Sequence, residues 1–287
     1  MEIEQFETYR PLLFAIAYRM LGTVTEAEDV LQDTFVRVQT SSGQTIHNPK
    51  YYLTTIVTRL CLNQLSAART QREQYLGPWL PEPIATVGQR DLINPAERAA
   101  TYDSISTAFL VLLESLSPAE RAVFILHQVF EYKFKEIAEM LEKSEAACRQ
   151  LFKRARDHIA ENRARFDPTP EAHERLLKSF IEVVELGEVE AFLQLLADDI
   201  IFVPDGGGER GAATQVLRGR EAVAAFIFGV QRVAPSRLAY ELMVLNGQQA
   251  VLARTADGRP YFALFLYGEQ YRAKLIHVIA GRKLRSI

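Results

Sequence analysis

Prolines 78, 81 and 83, with Gly77 and Gly88 around them, forbid a continuous helix between Gln71 and Pro95. A second break stands at Asp167-Pro168-Thr169-Pro170. Before that second break the apolar residues recur at helical spacing, and after it short β-branched and aromatic runs take over. The 287 residues therefore divide into a helical part at 1–70, a proline-rich linker at 71–95, a second helical part at 96–165 and a mixed part at 166–287. The fold class expected is multidomain: two all-α domains followed by an α+β domain, because helices first and strands afterwards segregate rather than alternate.

In the first part, Leu12, Ala15, Ile16, Arg19 and Met20 lie at helical spacing, and Gly22 can end that helix as a left-handed C′ residue. A capping box of Thr25 and Glu28 then opens the next helix. Its buried stripe is expected at Ala27, Val30, Leu31, Phe35 and Val38, which leaves Glu26, Asp29 and Asp33 facing out. The polar run Thr40 to Thr45 separates it from a third helix that starts at Asn48-Pro49. One side of the third helix is apolar, with Leu53, Ile56, Val57, Leu60 and Leu65. The other carries Thr54, Thr55, Thr58, Arg59 and Asn63, hydrogen-bonding groups without acidic charge that suit nucleic acid.

The second helical part ends in a helix-turn-helix pattern. Ala138 is small enough for the helix crossing, and Ser144 can cap the second helix. That helix is expected to bury Ala147, Leu151, Phe152, Ala155 and Ile159, leaving Arg149, Lys153 and Arg156 on one exposed stripe. Glu145, Ala146, Arg149 and Gln150, near its start, are the candidates for reading base edges. Glu142 stands where such turns usually carry glycine. A left-handed glutamate costs about 1 kcal/mol, so a rearranged turn is expected there. A solvated amphipathic helix is the plain alternative for this segment.

Net charge is −3, which by itself does not favour nucleic acid. Its distribution matters more: residues 149 to 165 hold six basic and two acidic side chains. Cys61 and Cys148 share no ligand spacing, so neither a disulfide framework nor a metal site is expected, and no cofactor is implied. Apolar runs such as Ala122 to Leu126 are too short for a bilayer. Met1-Glu2-Ile3-Glu4 lacks the basic and apolar stretches of a secretory signal, which makes the cytoplasm the expected location.

Tyr75 and Trp79 sit inside the linker, and large aromatics there should be docked, since exposing them forfeits about 25 cal/mol per Å². After residue 166, helices at Glu171 to Glu185, up to Leu196 and at Arg220 to Phe228 accompany strand runs. These strands lie at Ile200 to Val203, Leu238 to Leu245, Ala250 to Arg254, Tyr261 to Tyr267 and Ala273 to Ile279. Gly206 to Gly208 reads as a turn or docking loop, because no Lys-Ser/Thr pair follows to make it a phosphate cradle. Asp198, Asp199 and His277 could serve as acid-base groups, but cap, turn and strand positions account for them, and no enzymatic activity is expected.

The stretch Thr25 to Phe35, with Glu26, Glu28-Asp29-Val30-Leu31-Gln32-Asp33 and Thr34-Phe35, resembles the region-2 helix of bacterial extracytoplasmic-function (ECF) sigma factors. Pro49 to Arg69 resembles the strand-opening helix of that region. Leu116-Ser117-Pro118-Ala119-Glu120-Arg121 and Leu151 to Arg156 resemble the start and end of region 4. The resemblance implies that Asp29, Gln32 and Asp33 dock on the clamp coiled coil of RNA polymerase core. It further implies that Arg59 and Asn63 contact the melted -10 element, with the loop Thr40 to Thr45 holding a flipped base. Glu145, Arg149, Gln150, Lys153 and Arg156 would then contact the -35 element.

A narrower resemblance, carried by Tyr75 to Pro83 and Asp205 to Gly208, is to the subgroup with a fused C-terminal SnoaL-like domain. It implies that Tyr75, Trp79, Pro81, Asp205, Gly206, Gly207 and Gly208 couple that domain to the linker. A monomer with no separate anti-sigma factor, no membrane partner and no metal is then expected. The sequence departs from the subgroup at Glu209-Arg210 and in its tail, Gly281-Arg282-Lys283-Leu284. The rival readings are a stand-alone ligand-sensing helix-turn-helix regulator and a SnoaL-like enzyme with a DNA-binding fusion.

Overall fold

The computed structural model describes residues 3–40, 46–72, 77–86, 105–162, 170–207, 214–269, 272–285 and 287. They fall into two compact units, Met1–Gln74 with Gly88–Arg163, and Tyr75–Val87 with Ala164–Ile287. The linker segment around Trp79 thus belongs to the unit built by the C-terminal half of the chain.

The first unit is helical: α1 (Ile3–Leu21), α2 (Val24–Thr40), α3 (Pro49–Arg72), α4 (Thr107–Glu114), α5 (Pro118–Phe124), α6 (Phe134–Leu141) and α7 (Glu145–Asn162). Gly22 closes α1 as expected, with a left-handed φ of 79° and its amide donating to the Tyr18 carbonyl at 2.7 Å. The box that opens α2 is Thr23 with Glu26, rather than Thr25 with Glu28. The Glu26 amide donates to the Thr23 hydroxyl, which donates to the Glu26 carboxylate at 2.7 Å. The physical reason is the abrupt end of α1 at Gly22, which makes the next residue the first free to cap. Glu28 instead takes a bond from Arg10. Ala27, Val30, Leu31, Thr34 and Val38 form the buried side of α2, with Phe35 edge-on to Phe6 at 5.2 Å.

A true capping box starts α5: Ser117 accepts from the Glu120 amide, and the Glu120 carboxylate accepts from the Ser117 amide. Buried Arg121 donates to the Met20 carbonyl at 2.6 Å and to the Glu114 carboxylate at 2.5 Å, pinning α5 to the end of α1. Residues Ile125–Val129 continue α5 as one π-turn.

The second unit is an α+β layer pair. Its helices are α8 (Pro170–Leu186), α9 (Val189–Leu195) and α10 (Arg220–Val233). Its strands are β1 (Leu196–Asp205), β2 (Leu217–Arg218), β3 (Ala239–Leu245), β4 (Gln248–Arg254), β5 (Pro260–Glu269) and β6 (Arg272–Ala280), in sheet order β2-β1-β6-β5-β4-β3. The strands β3 to β6 meander antiparallel, and β1 joins β6 in parallel. Alternation along the strands puts Ile200, Phe202, Val251, Ala253, Leu264, Leu266, Ile276 and Val278 in the core cluster shared with Phe180, Phe192, Val223 and Ile227 of the helices. No helix among the described residues is long and apolar enough to cross a membrane.

Candidate functional site

Three surfaces carry the residues singled out from the sequence. On α2, Asp29, Gln32 and Asp33 are exposed. Val36, 58% exposed, stands three residues from Asp33 and four from Gln32, so this face offers carboxylates around an apolar centre. Val36 lies outside both the expected buried stripe and the expected acidic face, so sequence periodicity did not single it out.

On α3, Arg59 and Asn63 are exposed, but the threonine side is not a free polar surface. Thr54 and Thr58 are fully buried, and Thr54 shares a 2.9 Å hydrogen bond with the Tyr132 hydroxyl. The expectation that these threonines face nucleic acid is corrected by their burial. The single Tyr51 hydroxyl proton faces the Glu139 carboxylate at 3.1 Å and the Glu136 carbonyl at 3.3 Å, and can donate to either. Burial and the bond to Glu139 push the Tyr51 phenol up to about 12. Arg59 donates from Nε to the Met140 carbonyl at 2.8 Å and pairs with Glu142 at 2.9 Å. A guanidinium on the last carbonyls of a helix satisfies orphan acceptors and the negative end of its dipole. In this structure Arg59 is therefore engaged by α6. The Ser41 to Thr45 part of the expected base-holding loop lies outside the described residues.

The helix-turn-helix forms at α6 and α7. Glu142 adopts the left-handed conformation itself, φ 54° and ψ 44°, so the turn is not rearranged. The Lys143 amide donates to the Ala138 carbonyl and the Glu142 amide to that of Glu139, the paired bonds of a Schellman ending that offset the glutamate's strain. Ser144 caps α7 by accepting from the Ala147 amide at 3.1 Å. The buried side of α7 is Cys148, Ala155 and Ile159. Ala147, Leu151 and Phe152 are only partly covered, a correction to the expected stripe that rotates it toward Cys148. Arg149, Gln150, Lys153 and Arg156 are exposed, and Glu145 is half-buried and paired with Arg149. Arg154 is tied to Glu120 at 3.2 Å, which leaves it off the Arg149 stripe.

The third surface lies within the second unit, where residues 77–86 run from one corner of the sheet to another. At one end, the Asp205 carboxylate accepts from the Leu80 amide at 2.6 Å, the Gly207 amide at 2.8 Å and the Lys283 ammonium at 2.6 Å. Lys283 also donates to the Leu80 carbonyl at 2.5 Å and stands 4.3 Å over the Trp79 ring. Asp205, Lys283, Leu80, Pro81 and Glu82 are buried, and Gly207 uses a left-handed φ of 73°. Trp79 is partly covered, Gly206 is buried, and Tyr75 and Gly208 lie outside the described residues.

The tail lysine thus does bind here although its flanking motif is altered, and sequence reading left it off the site. At the other end, buried Asn246 accepts from the Ile84 amide at 2.7 Å and returns its own amide to the Ile84 carbonyl at 2.9 Å. Thr86 donates to the Val244 carbonyl, and the Gly247 amide donates to the Thr86 hydroxyl. This second anchor had no sequence signal beyond an Asn-Gly turn.

His277 is buried, with Nδ1 unpartnered, and burial pushes its imidazole down to about 4. Asp198 is exposed and pairs with Arg220, and Asp199 is exposed. The three therefore form no acid-base constellation. Among the described residues no group of three His, Cys, Asp or Glu side chains could hold a metal ion.

The helical unit thus combines a capped helix-turn-helix with a helix whose exposed face is acidic. The Sigma-70 region 2 family matches residues 5–71 and the Sigma-70, region 4 family residues 106–159. The chain is 38% identical over 252 residues to the ECF RNA polymerase sigma factor SigJ of Mycobacterium tuberculosis (strain ATCC 25618 / H37Rv), covering 86% of this chain and 80% of SigJ. It is 31% identical over 260 residues to the probable ECF RNA polymerase sigma factor SigI of M. tuberculosis (strain CDC 1551 / Oshkosh), covering 86% of this chain and 82% of SigI. The crystal structure of SigJ superposes with a TM-score of 0.73 at 31% identity, covering 99% of this chain and 98% of the other. The chain belongs to the ECF RNA polymerase sigma factors, with two helical sigma regions followed by a SnoaL-like α+β unit.

Proposed function

We propose that this sigma factor joins polymerase core to promoter DNA under the control of its own C-terminal unit, without a separate anti-sigma factor. Asp29, Gln32 and Asp33, around Val36, dock region 2 on the clamp coiled coil. Arg59 and Asn63 take the melted -10 strand. Glu145, Arg149, Gln150, Lys153 and Arg156 meet the -35 duplex, whose phosphates demand aligned positive charge. The protein performs no covalent chemistry and works as a monomer in the cytoplasm, exchanging base pairing for contacts with unstacked bases. Arg59 gives up its bonds to the end of α6 when it turns to DNA, so activation includes opening the α3–α6 contact.

One observation carries the regulatory part: within the segment joining the two sigma regions, Leu80 and Ile84 are hydrogen-bonded to the C-terminal unit, at Asp205 and at Asn246. Whatever loosens that strap changes the freedom of the two sigma regions. Reconstituted transcription with polymerase core tests it. Deleting the residues after Phe166 is expected to change promoter output, and unchanged output removes the regulatory claim. Arg149→Ala is expected to lower promoter-specific output while core binding persists, and unaltered promoter use removes the readout assignment.

A further inference from the structure

We propose that Phe134 and His127 form an aromatic platform that positions Arg149 and thereby sets base selectivity of the recognition helix. This rests on the assignment of α7 to promoter duplex. The Arg149 guanidinium lies over the Phe134 ring, 4.7 Å from its centroid. Phe134 in turn stacks on the His127 imidazole, with centroids 4.0 Å apart and planes 30° from parallel. His127 is itself fixed: Nδ1 lies 2.8 Å from the Tyr132 carbonyl, which can only accept, so Nδ1 carries the proton. Phe152 meets both rings edge-on, at 4.7 Å from His127 and 5.6 Å from Phe134.

The π-turn gives this stack its place. One extra residue in Ile125–Val129 re-aims the side chains there, and the turn holds His127 between α6 and α7. Glu145, one helical turn back, pairs with the same guanidinium. Arg149 is therefore held by a ring face and a carboxylate while remaining exposed. An arginine side chain carries much rotamer freedom, and a planar fork reads guanine O6 and N7 only in one orientation. A ring face that pre-orders the fork raises base selectivity without adding a phosphate contact. Lys153 and Arg156, by contrast, are exposed, Arg156 beside Asp157 at 3.5 Å, and serve as charge.

The test uses the full-length chain assembled with polymerase core, and a duplex library randomised over the upstream element as probe, selected and sequenced. Phe134→Leu is expected to flatten, about two- to fivefold, the base preference that Arg149→Ala abolishes, with other positions and the salt slope unaltered. Phenylalanines carrying increasing ring fluorination at 134 keep the shape while draining the negative ring face. Selectivity at that position is expected to fall in step with fluorination. Constant selectivity across the fluorinated series overturns the platform, including where the leucine variant fails to fold. Wild-type preferences in Arg149→Ala overturn instead the assignment on which the platform rests.

Discussion

Lys283 and Asp205 form a buried ion pair, 2.6 Å from ammonium to carboxylate, with side chains 8% and 0% exposed. The pair lies at the corner of the sheet where the interdomain linker begins its crossing. Both charges also hold the Leu80 peptide, one through its carbonyl and the other through its amide. The ion pair thus converts a loop of prolines into a fixed attachment.

Removing one partner leaves the other charge buried and uncompensated, which costs about 3–5 kcal/mol. Lys283→Met is therefore expected to lower the denaturation midpoint sharply and to expose the linker to limited proteolysis. Lys283→Met combined with Asp205→Asn is expected to recover part of that loss, as urea unfolding of both variants would register.

Glu142→Gly relieves the left-handed glutamate, worth about 1–2 kcal/mol, against about 0.4–1 kcal/mol of extra chain entropy in the unfolded state. The exposed pair with Arg59 contributes little. A net gain of about 0.5 kcal/mol is expected in urea unfolding, with weaker dependence on salt.

His277 gives the fold an acid sensitivity whose sign follows from burial. Its imidazole titrates at about 4 in the folded chain, against about 6.5 when unfolded. Above pH 6.5 both states are neutral and stability is intact. As pH falls from 6.5 to 4 the unfolded chain binds a proton the folded one refuses, and stability drops by about 1.4 kcal/mol per unit. His173, also pushed down by burial, adds a contribution of the same sign. His277→Leu is expected to reduce, without abolishing, the slope of stability between pH 4 and 6.5.

Lys153→Ala is expected to weaken promoter binding by the polymerase holoenzyme evenly across sequences and to reduce the salt slope by about one. Fluorescence anisotropy of a labelled promoter duplex, titrated at several salt concentrations, reads both quantities.

Much of this was legible in the chain. Helix-turn-helix spacing, the Ser144 cap and the exposed acids of α2 are local features, and local chemistry was enough to place them. The need for something to cover Trp79 followed from its size alone. What escaped were choices made by tertiary packing. Two capping boxes compete at the start of α2, and the end of α1 at Gly22 decides between them. Thr54 and Thr58 look like a polar face until tertiary packing buries both and Tyr132 bonds to Thr54. Asn246 reads as one half of a hairpin turn, and nothing local says that its side chain grips a peptide bond more than a hundred and sixty positions earlier.

The span from Leu80 to Ile84 is fastened at each extremity to a rigid sheet, so it works as a ruler. An extra residue inserted within it has nowhere to go except outward as a bulge, with the loss of one fastening or the other. Related chains that preserve both fastenings are bound to keep the residue count between them constant, however freely the rest of the connecting stretch drifts in length.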